Sequence, residues 1–296
     1  MDRFLECVLF VAGLAFGSFL NVCITRIPQD ESVVSPRSHC PACHAAIRWY
    51  DNIPLVSWLL LRGRCRHCGW HIPWRYPAVE LLTGLLFVAC FVWFGLTWLT
   101  LKFCVFSFLT VGLIFMDAEA GLLPREFTYP GIALGLAFSW LAGVDSAGTQ
   151  FLLIVYGKHL PGVRPLSLLD SAVGAAVGAG FLYVAWGLYY LVRKKHGMGF
   201  GDIALIAMSG AFLGLKLTLF VILTAPLLAV IYAIFLLAWE AGGSHPADQT
   251  KEEESAGGVG TFFHREIPFG VFLGVCSLAA MLVGQPAWRA YLGMFQ

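Results

Sequence analysis

The chain has 296 residues, of which 58% are hydrophobic and only 12% charged, with a net charge of +1 and a mean hydropathy of +0.76. Such a composition excludes a soluble globular enzyme and gives no basic field for nucleic acid, and it predicts a polytopic membrane protein. What carries information is the placement of the 19 lysines and arginines.

From the N-terminus, MDRFLECVLFVAGLAFGSFLNV is too long an apolar stretch for a signal-peptide core. It runs into TRIP and not into a small-residue cleavage site, so it reads as a retained first span over 5–25. Further apolar segments lie at 78–98, 101–117, 127–143, 170–192, 202–215, 217–239 and 267–288, against the roughly 20 residues a helical span requires. The sixth is short. The expected fold is all-α, with about eight transmembrane helices and a small zinc-binding loop between the first two. Its expected parts are a first helix over 1–25, a four-cysteine loop over 26–77 and a membrane-embedded core over 78–296. Within the core, 240–266 is rich in Gly, Ser and acidic residues and reads as a flexible loop.

With eight spans and the N-terminus outside, the connections at 26–77, 118–126, 193–201 and 240–266 share one side. That side carries Arg26, Arg37, Arg48, Arg62, Arg64, Arg66, Arg75, Arg125, Arg193, Lys194, Lys195, Lys251 and Arg265, 13 of the 19 cations, which makes it the cytoplasmic side.

Four of the nine cysteines fall in the first connection as CPAC and CRHC: Cys40, Cys43, Cys65 and Cys68. Two close pairs brought together by a hairpin supply the tetrahedral thiolate cage of a structural zinc, closed to substrate because no coordination position is free. Two disulfides would be the outcome in an oxidising compartment, and a labile redox or metal-free site is a further alternative. His44, His67 and His71 read as surface residues. Cys7, Cys23, Cys90, Cys104 and Cys276 read as packing residues in or beside spans. Trp49, Trp58, Trp70, Trp74, Tyr50 and Tyr76 place the loop against the lipid headgroups.

Two acids stand beside long apolar segments, Asp117 in FMDAEAGLLP and Asp202 in GMGFGDIAL. A carboxylate near hydrocarbon is costly, so such groups line wet cavities or meet a partner. They are 85 residues apart, yet the topology puts both at the same ends of their spans. The plain alternative is that each caps a helix end at the water interface. The glycines before Asp202, Gly197, Gly199 and Gly201, suit close backbone approach, and with no preceding soluble strand they do not indicate a nucleotide cradle.

Together these residues resemble the type IV prepilin peptidases, along nearly the whole chain. GSFLNVCITRIP resembles that family's exit from the first span, and CPAC through GRCRHCGWHIPWRYPAVELLTG its cysteine loop. Asp117, followed by Leu123 and Pro124, matches the first catalytic acid, Asp202 the acid of the Gly-x-Gly-Asp motif, and Ile267-Pro268-Phe269-Gly270 the opening of the last span. The resemblance implies an aspartic endopeptidase of the bacterial inner membrane. Such an enzyme removes the basic leader of type IV prepilins or type II secretion pseudopilins after a Gly, and N-methylates the new terminus with S-adenosylmethionine. The implied catalytic residues are Asp117 and Asp202, with the zinc structural and the methyl-donor residues unknown. Glu80 is a possible contributor, with helix capping the simpler reading. Two departures stand out: Ala204 occupies the position of a family lysine, and Arg125, followed by Glu126, that of an acid after Leu-Pro. Other classes consistent with two acids in apolar surroundings are a proton- or cation-coupled transporter and a non-catalytic assembly factor.

Overall fold

Water cannot satisfy backbone groups inside a bilayer, so an apolar chain of this kind must bury its N–H and C=O groups within helices. The computed structural model describes residues 2–142, 163–194, 199–242 and 268–293. Among them the regular structure is helical: α1 (Asp2–Arg26), the short α2 (Val56–Leu60), α3 (Arg75–Phe94), α4 (Trp98–Ala120), α5 (Arg125–Ala142), α6 (Val163–Arg193), α7 (Phe200–Leu213), α8 (Leu215–Gly242) and α9 (Phe269–Gly293). No strand forms among the described residues, and two isolated antiparallel bridges lie in the first connection. The flexible loop expected over 240–266 begins later than expected, because α8 continues to Gly242, and its remainder over 243–266 lies outside the described residues, as do Lys195, Gly197 and Ile267.

Each of the eight expected apolar segments coincides with one long helix, but five are long and apolar enough to cross a membrane. These are α1, α3, α4, α6 and α8. The others depart for visible reasons. Helix α5 opens on Arg125 and Glu126 and contains Pro130. Helix α7 has 14 residues and stops at Gly214, whose φ of +79° turns the chain directly into α8. The apolar part of α9 spans Phe269–Gly284. The protein is thus an all-helical, multi-pass membrane protein in which three helices are shorter or more polar than full spans.

Small residues set the closest packing. A Cβ on Gly13 would sit 2.7 Å from the Gly84 Cα, and one on Gly17 2.7 Å from the Glu80 Cα, so α1 and α3 touch backbone to backbone. Helices α6 and α7 meet the same way, where a Cβ on Gly210 would fall 2.5 Å from Gly174. Helix α4 is the most enclosed of the five long spans and packs against α1, α3, α5, α7 and α9. It is the element around which the site is assembled.

Candidate active site and four-cysteine centre

Helix α4 continues one turn past the segment expected from hydropathy and ends at Gly121, which adopts the left-handed conformation (φ 62°, ψ 25°) and donates its N–H to the Asp117 carbonyl at 2.9 Å. Asp117 therefore projects from the last turn of an ordered helix. Leu122, Leu123 and Pro124 then carry the chain across to α5, where the Pro124 carbonyl accepts the first N–H groups of the new helix, from Phe127 and Thr128. Asp202 sits in the first turn of α7, its N–H directed to the Gly199 carbonyl at 3.3 Å.

These two helix ends meet at one end of the bundle. Asp117 and Asp202 are 7% and 8% exposed and close enough for their charges to act on one another. The N-terminus of α9 closes the site. The Asp117 Oδ2 accepts the Val271 N–H at 2.9 Å, and the Gly270 N–H is directed at the same carboxyl group, two donors that a helix start leaves without intrahelical partners. Contact here is so tight that a Cβ on Gly270 would lie 2.8 Å from Asp117 Oδ2 and 2.9 Å from Leu123 Cδ1. A Cβ on Gly201 would lie 2.7 Å from the Leu123 Cβ. Leu123 is thus the wedge between the two acid-bearing helices, and glycine on either side lets it fit.

The same end of the bundle carries the return from the cysteine loop. Arg75, at the start of α3, pairs with Glu119, two residues past Asp117, and donates to Thr25 Oγ1 of α1 at 3.0 Å. Asn21 of α1 holds the Tyr76 carbonyl at 3.0 Å. Two of the connections expected to share a side, 26–77 and 118–126, therefore meet at this end of the bundle.

Within the loop the two cysteine pairs occupy two copies of one turn, offset by 25 residues. The Cys40 N–H donates to the Ala45 carbonyl and the Cys65 N–H to that of Trp70; His44 bonds back to Cys40 as Gly69 does to Cys65; Ile47 bonds to Ser38 as Ile72 does to Gly63. The bridges His39–Ala46 and Arg64–His71 repeat in the same register. At the matching turn position His44 and Gly69 both take positive φ, 55° and 73°. The four sulfurs lie within 4.8 Å of one another, and Cys40 and Cys68 are 3.8 Å apart. Thiolates bound tetrahedrally at about 2.3 Å would be separated by about 3.8 Å, so the residues fit a structural zinc. All nine cysteines are free thiols. The N–H groups of Cys68 and His67 point at the Cys65 sulfur and hold its thiol at about 7, which favours the thiolate a metal requires. His44, His67 and His71 are exposed on the outside of these turns.

Glu80 belongs to neither centre. Its Oε2 accepts the N–H of Leu55 at 2.8 Å, the residue preceding α2, so it fastens the loop to α3 and caps neither helix. Ala204 is half-buried on α7, and Arg125 and Glu126 are exposed where α5 begins.

Sequence inspection passed over Val271 and Gly270 as ligands of Asp117, because a backbone donor 154 residues away leaves no local signal. It also passed over Lys102, fully buried in α4 with its Nζ donating to Ser139 Oγ at 2.9 Å. Ser139 Oγ lies 2.6 Å from Ser171 Oγ and 3.2 Å from the Ala211 carbonyl. Beside this network Asp170 accepts the Leu215 N–H at 3.3 Å and faces Lys102 electrostatically. A lysine inside an apolar segment is itself a signal.

Two family profiles cover most of the chain: the bacterial Peptidase A24 N-terminal domain over 11–94 and the type IV leader peptidase family over 103–234. The chain is 41% identical to the prepilin leader peptidase/N-methyltransferase of Myxococcus xanthus, over 84% of this chain and 68% of that protein. It is 34% identical to the enzyme of the same name from Aeromonas hydrophila, over 97% and 94%. To the type 4 prepilin-like proteins leader peptide-processing enzyme of Escherichia coli it is 35% identical, over 76% and 82%. No solved structure matches the chain. With both profiles in order along one chain and identity running nearly end to end, the protein belongs to the type IV leader peptidase family, the prepilin leader peptidase/N-methyltransferases.

Proposed function

We propose that the protein cuts prepilins or type II secretion pseudopilins after a Gly, with Asp117 and Asp202 as the catalytic pair, and N-methylates the residue so exposed. The observation that carries this reading is the meeting of two buried acids, from helices distant in sequence, at one end of the bundle. The names of its relatives supply the reaction class.

Two carboxyl groups at close quarters titrate as a pair and hold a proton between them. The ionised member takes a proton from a water molecule as that water attacks the scissile carbonyl carbon. The protonated member donates to the carbonyl oxygen as negative charge develops there and supports departure of the amine. The Gly270 and Val271 N–H groups fix the Asp117 carboxyl in orientation, so that a positional cost is met before substrate arrives. A substrate whose helix lies in lipid and whose basic leader lies in water presents its cleavage point at the membrane edge, where α4 ends and α7 begins. On this reading that edge is the cytoplasmic face of the bacterial inner membrane.

S-adenosylmethionine enters as a second substrate and provides the methyl group for the new amine. The four cysteines would hold zinc as a brace, and four thiolate ligands would leave it to organise the lobe and not to activate water. The chain divides accordingly into a first helix (1–25), a zinc lobe (26–77) and a peptidase core (78–296).

The test is mass spectrometry of a co-expressed prepilin with the wild type, Asp117→Asn and Asp202→Asn. The wild type should yield a product beginning after the Gly and 14 Da heavier, a mass set by replacing H with CH3, while both variants fold and leave the prepilin whole. Normal processing by either purified variant overturns the assignment.

A further inference from the structure

Helix α1 ends in a buried charge that the peptidase chemistry does not use. Arg26 is 7% exposed, and its Nη1 donates to the Ser32 carbonyl at 2.9 Å. Among the described residues it is in neither ion pair, these being Arg66–Asp51 and Arg75–Glu119. A guanidinium has five N–H donors, and its charge is costly to bury without an anion.

Arg26 lines a cavity of about 640 Å³ between α1 and the cysteine lobe. Ala15, Phe19 and Val22 form the floor along α1, while Arg37 and Trp49 come from the lobe above. Residues 15, 19, 22 and 26 fall at helical spacings of four, three and four, so they make one stripe. That stripe continues toward the N-terminus through Phe4, Val8 and Val11, all exposed, and Phe19 within it also stacks on Phe108 of α4. The cavity is therefore apolar where the helix is within the span and cationic where the helix leaves it. Its floor also runs into the exposed apolar surface of a helix long and apolar enough to cross a membrane.

We propose that this cavity binds an anionic phospholipid, with its phosphate between Arg26 and Arg37 and its acyl chains along Ala15, Phe19 and Val22. A basic leader peptide would be repelled by two arginines, and a small soluble anion would leave the apolar stripe bare. The bound lipid bridges α1 to the cysteine lobe, and the site stands or falls independently of the aspartates.

The test is native mass spectrometry of the delipidated protein in detergent, titrated with phosphatidylglycerol or phosphatidylcholine. Phosphatidylglycerol should be retained at least tenfold more tightly. Arg37→Gln, at an exposed position, should abolish that preference, as should Val22→Trp, which fills the floor; Arg125→Gln, exposed elsewhere on the same face, should leave it intact. Arg26→Gln should behave like Arg37→Gln, and the two surface or floor variants decide the matter if it does not fold. Equal retention of both lipids overturns the proposal, as does a wild-type preference in Arg37→Gln. Displacement of the lipid by inorganic phosphate or by S-adenosylmethionine at millimolar concentration also overturns it, since the site would then belong to a soluble anion.

Discussion

At the residue scale, the catalytic role proposed for Asp117 depends on a single missing methyl group. Gly270 has its missing Cβ aimed at the Asp117 carboxyl and at Leu123 together. Gly270→Ala must push one of them aside, and backbone donors hold the carboxyl while the α4–α5 crossing holds Leu123. Misplacing a catalytic group by about 1 Å costs up to roughly 100-fold in rate, so prepilin cleavage in Gly270→Ala should fall about 10- to 100-fold in turnover. Substrate KM should move little if, as proposed, the leader lies in water and the apolar helix in lipid, outside this contact. Steady-state cleavage of a purified prepilin separates the two constants, and a turnover within twofold of wild type would show that Asp117 does not act from this position.

At the element scale, the cysteine lobe was half legible in the sequence. The spacing of CPAC and CRHC announced the four sulfurs; the duplication of the whole turn, SHCPACHAAI against GRCRHCGWHI, did not register, because apart from the cysteines only a His at two different positions and a final Ile invite comparison. Its likeness lies in backbone hydrogen bonds, which side-chain identity does not record. Since both turns aim their sulfurs at one point, the four ligands are equivalent in consequence. Cys43→Ser, from the first turn, and Cys68→Ser, from the second, should each lower bound zinc from about one per chain to a small fraction, as metal analysis of the purified protein would report. Both should expose the lobe to proteolysis near Gly63, where Trp58 packs against the second turn. Retention of zinc in one variant and not the other would mean that the pairs do not share an ion.

At the scale of the whole molecule, hydropathy located the long helices, because burying backbone in lipid leaves the chain no other course. It was silent on how they are fastened. The acids lie at one end of α4 and α7. Lys102 lies 15 residues before Asp117 on α4, about 22 Å along the helix at 1.5 Å per residue. At that end Lys102, Ser139, Ser171 and the Ala211 carbonyl tie α4, α5, α6 and α7 together, and Asp170 caps the start of α8. Lys102→Met keeps the volume of the side chain but removes the cation that faces Asp170. Lys102 and Asp170 are not in ion-pair contact, so the cost is that of leaving the buried Ser139 hydroxyl without its donor and Asp170 without this facing charge, about 1–3 kcal/mol. The expected result is a clear drop in the thermal midpoint in detergent. Lys102→Met combined with Asp170→Asn should recover part of the loss, since neither charge then remains to be solvated. A double variant whose loss equals the sum of the two single losses would mean that Lys102 and Asp170 are not energetically linked, and that the serines alone hold this end of the bundle.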